Sequence, residues 1–288
     1  MSDAVRRSFP VGAWLLQLAL PALLGLVLLV YGAVLYDLAR AGLTEIDVEY
    51  LTSEPQMSGR TGGVLPMIVA TLTVLAIAVV TALPISIGAA LFVTEILHPA
   101  SGWAQLMRAC LLILACVPSI AFGFFGAAFF GQTLGFGISL LTGGLTLAVM
   151  ILPVCTFALE EVFRMLPSGY RAGAFALGSS RTRFIFTVLL PLSAPQILSV
   201  ALLGMSRALA ETAALLFTSG YSDRMPHSVM DPGRVLSVHI YDLAMNIPGG
   251  DRMASAAALL LIALFLVIVA IFLLLSGWSH FRKGKAHA

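Results

Sequence analysis

Charge is scarce in this sequence. Asp, Glu, Lys and Arg make up 10% of its 288 residues, 59% are hydrophobic, and the mean hydropathy is +1.00. A soluble domain carries about 25% charged residues. A fold of this length with so few charges could not coat its surface, which excludes the ordinary soluble classes. The 16 basic and 14 acidic residues leave a net charge of +2, which excludes a nucleic-acid binder because no basic surface of the needed density can be assembled. Lysine is confined to Lys283 and Lys285, and no GxxxxGK[ST] run occurs. The loop and lysine that cradle nucleotide phosphates are therefore missing. Cys110, Cys116 and Cys155 show no CxxC spacing, which argues against a disulfide framework, a zinc ribbon or an iron–sulfur site. No HExxH or GxSxG occurs, and His98, His227, His239, His280 and His287 are dispersed, as expected of solvated loop and tail residues rather than metal ligands. The expectation is a chain with no catalytic residues and no cofactor of its own, which leaves transport, scaffolding or signalling.

Long apolar runs are abundant. A spanning helix needs about 20 apolar residues, and six spans are expected at 13–36, 64–91, 105–130, 140–158, 193–218 and 253–275. The fold class is thus an all-α integral membrane protein with six transmembrane helices. Pro84, Pro118 and Pro153 fall within spans, where neighbouring helices must satisfy the freed backbone groups, so a close-packed bundle is expected. The first run follows Arg6 and Arg7 but is too long for a signal-peptide core, and it is read as a retained helix. The chain divides into 1–61 (stub, first span and external loop), 62–276 (the core) and a basic tail, 277–288.

Basic residues orient the spans. With the N-terminus inside, the cytoplasmic segments hold Arg6, Arg7, Arg108, Arg164, Arg171, Arg181, Arg183, Arg282, Lys283 and Lys285, and the external ones hold Arg40, Arg60, Arg224, Arg234 and Arg252. The larger set is cytoplasmic, with both termini inside. Loops 37–63 and 219–252 are long enough to fold over the bundle or meet a partner.

The segment between spans four and five reads EEVFRMLPSGYRAGAFALGSSRTRFIFTVLLP over 160–191. Pro167 opens it, and a run of helix formers with small side chains leads to Gly178, which can end that helix in a left-handed conformation before Ser179 and Ser180 start the next. Pro191 marks re-entry into the membrane. Two short helices joined at Gly178 are expected on the cytoplasmic face. Ala172, Gly173, Ala174 and Ala176 would let the backbone fit a groove on another protein, with Arg171, Arg181 and Arg183 pairing acids there. An interfacial helix lying on anionic lipid fits the residues equally well.

One basic residue, Arg207, falls inside the fifth span, with Glu211 four positions on. An Arg at a helix centre costs roughly 2.5–3.5 kcal/mol on insertion scales. The i,i+4 spacing would place both charges on one helix face. Such a guanidinium can fork onto two oxygens of an anion, with Glu211 holding it when no anion is present. A static buried salt bridge fixing helix register is the other use that fits.

These segments carry a family resemblance. Ala172-Gly173-Ala174, three residues, Gly178, nine residues, then Val188, Leu189 and Leu190-Pro191 resemble the coupling loop of ABC-transporter permeases, with Ala172 and Gly173 in place of the family's Glu and first Ala. Arg207-Ala208-Leu209-Ala210-Glu211-Thr212-Ala213-Ala214 resembles the R-A-x-G-E-T-A-P pattern of the A-type permease subunit of the phosphate-specific ABC transport system, with Ala where the family has Gly and Pro. Pro118-Ser119-Ile120 with Gly123 and Phe125-Gly126, and His239-Ile240-Tyr241, match further elements in order. The resemblance implies a type I ABC importer permease with a cytoplasmic coupling helix, forming half of a phosphate pathway. It implies a substrate path at Arg207, Glu211, Thr212 and Ser119, and ATPase coupling through Arg171, Ala172, Gly173, Ala174, Leu177, Gly178 and Pro191. A sister permease, two ATP-binding subunits carrying ATP and Mg, a periplasmic phosphate-binding protein and surrounding membrane lipid are the implied partners. Another oxyanion (phosphonate, sulfate or molybdate), an ion-coupled secondary transporter and a membrane sensor remain as alternatives.

Overall fold

Inside a bilayer no water is available to backbone N–H and C=O groups, so a chain this apolar satisfies them within helices. The computed structural model describes residues 11–98 and 101–284, with side chains described for 19–98 and 101–274. Arg6, Arg7, Lys285 and the side chains of the expected basic tail lie outside the described residues.

Helix α1 (Val11–Gly42) is followed by the short α2 (Val48–Thr52) and a two-residue antiparallel hairpin, β1 (Pro55–Gln56) with β2 (Thr61–Gly62). Then come α3 (Leu65–Leu91), α4 (Gly102–Cys116) and α5 (Ser119–Gly126). Next in order are α6 (Leu140–Arg164), α7 (Ser168–Ala176), α8 (Arg181–Phe184), α9 (Leu190–Leu209), α10 (Ala213–Thr218), α11 (Leu236–Met245) and α12 (Asp251–Gly284). Three widened turns prolong helices. Phe92–Ile96 extends α3, Ala127–Thr133 extends α5, and Ile185–Leu189 welds α8 to α9.

Among the described residues, five helices are long and apolar enough to cross a membrane, at Ala19–Glu45, Leu65–Ile96, Leu140–Arg164, Arg181–Leu209 and Asp251–Leu274. The expected third span is not one straight helix. Gly102–Cys116 and Ser119–Thr133 meet at 98°. Pro118 lacks the N–H that would continue the helix, and Val117 before it is extended, as a residue preceding proline prefers. The two limbs nevertheless touch opposite ends of α6. Arg108 of α4 pairs with Glu160, and Gly126 of α5 lies against Thr146. The pair therefore covers the height of the bundle as one broken span.

Helix α6 is the centre of the core. Leu140, Leu147, Ile151, Leu159 and Phe163 are fully buried along it. Its neighbours come close because glycine removes the side chain at each crossing. A Cβ on Gly144 would lie 2.6 Å from Ile77 of α3, and one on Gly204 of α9 would lie 2.8 Å from Cys155 Sγ. Near the C-terminal end of α6, buried Glu160 accepts from both Arg108 (2.7 Å) and Arg164 (2.8 Å). Helix α1 stands apart, with its membrane stretch exposed and its end, Gly42, seated on the α12 backbone, where a Cβ would meet Ala256 N at 2.6 Å.

The two long loops form a cap over one end of the bundle. Asp47 caps α2 by accepting from Tyr50 N at 2.7 Å. Backbone carbonyls of Thr218, Asp231 and Val229 take the first N–H groups around the start of α6. Arg234, 5% exposed, is held by Asp242 (2.6 Å) and Asp223 (3.5 Å). His239 was expected in solvent and is instead fully buried beside Gly59, with neither ring nitrogen hydrogen-bonded among the described residues. The signal missed was its place in the apolar run Val235–Ile240, which packs under the hairpin loop.

Burial, reinforced by the Arg234 guanidinium and only partly opposed by Asp242, pushes the His239 pKa down to about 3. The unfolded chain binds this proton below about pH 6.5 while the folded cap does not, so stability is full above that pH and falls as pH drops towards 3. The cap is expected to lose about 2 kcal/mol between pH 7 and pH 5 from this residue. Thermal unfolding of the purified protein at the two pH values checks this, and His239→Phe should flatten the difference.

Candidate functional site

Two regions carry the expected functional residues, a break in the fifth span and the helical hairpin formed by α7 and α8.

The fifth span is expected as one helix over 193–218, with Arg207 and Glu211 on one face. The structure corrects this. Helix α9 ends at Leu209, Thr212 leaves helical geometry (φ −122°), and α10 restarts at Ala213. The i,i+4 relation therefore does not exist, and no ion pair joins Arg207 to Glu211 among the described residues. Glu211 is 9% exposed and works locally. Its Oε1 accepts from Ala214 N at 3.4 Å across the start of α10, and its carbonyl accepts from Ser237 Oγ at 2.7 Å. Thr212 is half-buried in the break.

Arg207 occupies the last turn of α9, exposed, with no hydrogen bond or ion pair to any described residue. Gly204, one turn earlier, packs on Ile151 and Cys155 at the middle of α6, so Arg207 lies about one helical turn beyond that level. A bare guanidinium at that depth is too costly to face lipid, so its surroundings in the assembly must supply water, an anion or a partner group. The aromatic face beside the break is built by α5 on α10. Gly123 lies against Ala214, and Phe124 stacks on Phe217 at 4.5 Å. Ser119 begins α5, one turn before Gly123, and is half-buried. It makes no hydrogen bond to Arg207, Glu211 or Thr212 among the described residues. The structure thus gathers Glu211 and Thr212 in the break, leaves Arg207 free at its edge, and keeps Ser119 on the adjoining helix.

The expected pair of short helices joined at Gly178 forms. Gly178 has φ +75°, and Ser179 N donates to Ala174 O (3.0 Å) while Gly178 N donates to Phe175 O (3.0 Å), a pair of bonds that ends α7 in a left-handed turn. Ser180 Oγ then accepts from Arg183 N at 3.2 Å and starts α8. The open face presents Ala172, Gly173 and Ala176, with Tyr170 and Phe175 partly out and Leu177 90% exposed at the tip. A Cβ on Gly173 or Gly178 would meet nothing within 4 Å, so the face is not covered by the described residues of this chain. Ala174 turns towards the core. Pro191 does not mark re-entry. The wide turn Ile185–Leu189 runs α8 straight into α9, so Pro191 lies within one continuous span, Arg181–Leu209.

Arg171 also departs from expectation. Its guanidinium pairs inward with Glu95, whose side chain is 3% exposed, and lies 5.9 Å from the Phe184 ring centroid. Glu95 and Ser237 were not singled out in the sequence, and Glu160 was marked only as the start of the segment 160–191. A carboxylate at the end of an apolar run, in a chain with a later run of arginines, is the signal that could have found Glu95.

Residues 82–283 match the family described as binding-protein-dependent transport system inner membrane component. The chain belongs to that family. It is a multi-pass inner-membrane transport subunit. It is similar to the probable ABC transporter permease protein YqgI of Bacillus subtilis, with 28% identity over 82% of this chain and 84% of that one. It is also similar to the phosphate transport system permease protein PstC of Haemophilus influenzae (31% identity, 75% of this chain and 74% of that one) and of Xylella fastidiosa strain Temecula1 (30%, 72% and 70%). These phosphate-system relatives carry the PstC designation, so the likeness extends to that system's permease subunits without singling out the A-type. The fold is that of a solved bacterial alginate ABC transporter in complex with a pentasaccharide-bound periplasmic protein, with a TM-score of 0.67 at 15% identity over 90% of this chain and 92% of that one. The architecture is that of a type I importer permease.

Proposed function

We propose that this chain is the permease subunit of an ATP-driven importer of inorganic phosphate, lining half of the pathway with a sister permease. The observation that carries the reading is Arg207, a guanidinium with no partner among the described residues, near the level of the middle of α6 and beside a helix break, in a chain whose relatives include phosphate permeases. With Glu211 engaged elsewhere, Arg207 has no internal counter-ion to displace, so an oxyanion binds it without breaking a salt bridge. The guanidinium fork matches two phosphate oxygens. Thr212 and Ser119 offer hydroxyls along the same path.

Two ATP-binding subunits, which carry ATP and Mg, dock on the open face of α7, and Leu177 is the knob that enters their groove. A periplasmic phosphate-binding protein meets the cap formed by the loops before α3 and α12. Counting α4 and α5 as one crossing leaves both termini cytoplasmic, in line with the basic residues named above. The substrate pathway and permease core fall within 62–276.

Purification in mild detergent, followed by reconstitution with the co-purifying subunits, tests the reading. Uptake of labelled phosphate that needs ATP and the binding protein, and that excess sulfate, molybdate or phosphonate does not compete away, is the expected result. Competition by one of those anions would reassign the substrate, and uptake without any ATPase would overturn the ABC mechanism.

A further inference from the structure

Coupling at α7 has to reach the break at Glu211, and α7 is joined through the chain only to α6 and α9. The contacts of α3 supply a second route. At its cytoplasmic end, Glu95 is buried and paired with Arg171 of α7. At its external end, Thr71 Oγ1 accepts from Leu236 N at 2.8 Å, the first residue of α11. The next residue, Ser237, donates its hydroxyl to the Glu211 carbonyl at 2.7 Å. Adjacent residues of one helix turn therefore hold both α3 and the break in the fifth span.

We propose that α3 is a relay rod that carries movement of the coupling helix to the Glu211 break, with Arg171–Glu95 as its lower joint and Thr71–Leu236–Ser237 as its upper one. The proposal rests on the reading of α7 as the ATPase-docking helix. From Thr71 to Glu95 the rod is about 36 Å long at 1.5 Å per residue, enough to cross the roughly 30 Å hydrocarbon core. Its lower joint resists separation because pulling Arg171 away strands a buried carboxylate, which is strongly unfavourable. The rod is stiff where it matters. Gly144 brings α6 against Ile77, and Ser86 Oγ donates to Leu152 O at 3.2 Å beyond Pro84, so the proline does not leave the helix without lateral support. Arg171 is then a positioning residue. It acts on the pathway through Glu95, not by touching substrate or ATPase.

The test is the number of phosphates taken up per ATP hydrolysed by the whole reconstituted complex. Arg171→Glu and Glu95→Arg alone are each expected to lower that ratio about tenfold, and combining them is expected to restore most of it, a coupling of ordinary size for two linked sites. Ser237→Ala, at the other end of the rod, is expected to lower the same ratio. Arg171→Gln keeps the measurement possible if the charge reversals fail to assemble, with co-purification of the ATPase as the check. A double exchange no better than the single ones, or a wild-type ratio in both Arg171→Gln and Ser237→Ala, would overturn the relay. Leu177→Asp separates this from the underlying reading. If it leaves transport intact, α7 does not couple at all. If it uncouples while the charge exchange changes nothing, the relay alone is wrong.

Discussion

Arg207→Gln is expected to abolish phosphate uptake while the complex still assembles. The side chain makes no hydrogen bond or ion pair to any described residue, so its neutralisation removes no internal support from the fold. Losing the charge should if anything ease insertion, since the Arg costs roughly 2.5–3.5 kcal/mol at the bilayer centre. What is lost is a charge-assisted fork to a passing anion. Two such hydrogen bonds at about 1.5–3 kcal/mol each correspond to a fall in transport of about 10²-fold or more. Arg207→Lys keeps the charge but not the planar fork, and an intermediate rate is expected. The measurement is initial uptake of labelled phosphate at matched subunit content. Unchanged uptake in Arg207→Gln would remove the residue from the pathway. Glu211→Gln is expected to act differently, by loosening the start of α10, and so to lower assembly or stability together with uptake.

The second large effect is expected at the tip of the α7–α8 hairpin. Leu177 is 90% exposed, and burying such a side chain in a partner's groove contributes about 1.5–3 kcal/mol. Leu177→Asp should leave this chain folded and weaken ATPase binding by that amount plus the cost of burying a charge. Gly178→Arg combines two insults. It forces a side chain onto a residue at φ +75°, a left-handed position costing roughly 1–2 kcal/mol, and it places bulk and charge on an open face. Uptake should fall to background in both variants while the chain remains in the membrane. Co-purification of the ATPase distinguishes lost docking from lost coupling, and normal transport by Gly178→Arg would count heavily against the role of the hairpin.

Hydrophobic run length located the spans that are straight, because length and apolarity are local properties: the expected 64–91, 140–158 and 253–275 correspond to Leu65–Ile96, Leu140–Arg164 and Asp251–Leu274. It located the third and fifth spans but not the bend in the third or the interruption after Leu209 in the fifth. At Val117-Pro118 the breaker was visible, but proline also sits unbroken inside α3 and α6, so the residue alone does not decide between a kink and a turn of 98°. At Ala210–Thr212 no breaker exists. The break is held by tertiary contacts, Ser237 on the Glu211 carbonyl and the Glu211 side chain on Ala214 N, that no local pattern encodes. The resembling family carries Gly and Pro at the positions of Ala210 and Ala214, and those were the trace of it. The Gly178 turn was fully legible, since its chemistry is that of a single residue needing positive φ. The inward turn of Arg171 was not, because its partner Glu95 lies 76 positions away and nothing near either residue announces the other.

Helix α1 seats Gly42 on the backbone of α12 at Ala256, while the rest of its membrane stretch stays bare. On the ribosome the first helix therefore enters the bilayer roughly 200 residues ahead of that seat, a wait of roughly 10–40 s at about 5–20 residues per second. Throughout it Leu20, Leu23, Leu24, Leu28 and Leu29 have lipid as their solvent. A helix retained by its own partition into lipid can wait, whereas one that relied on its seat would drift or be cleared. The side chains of α1 thus answer to the order of synthesis as much as to the finished structure, and polar replacements there should show first as lost protein during biogenesis.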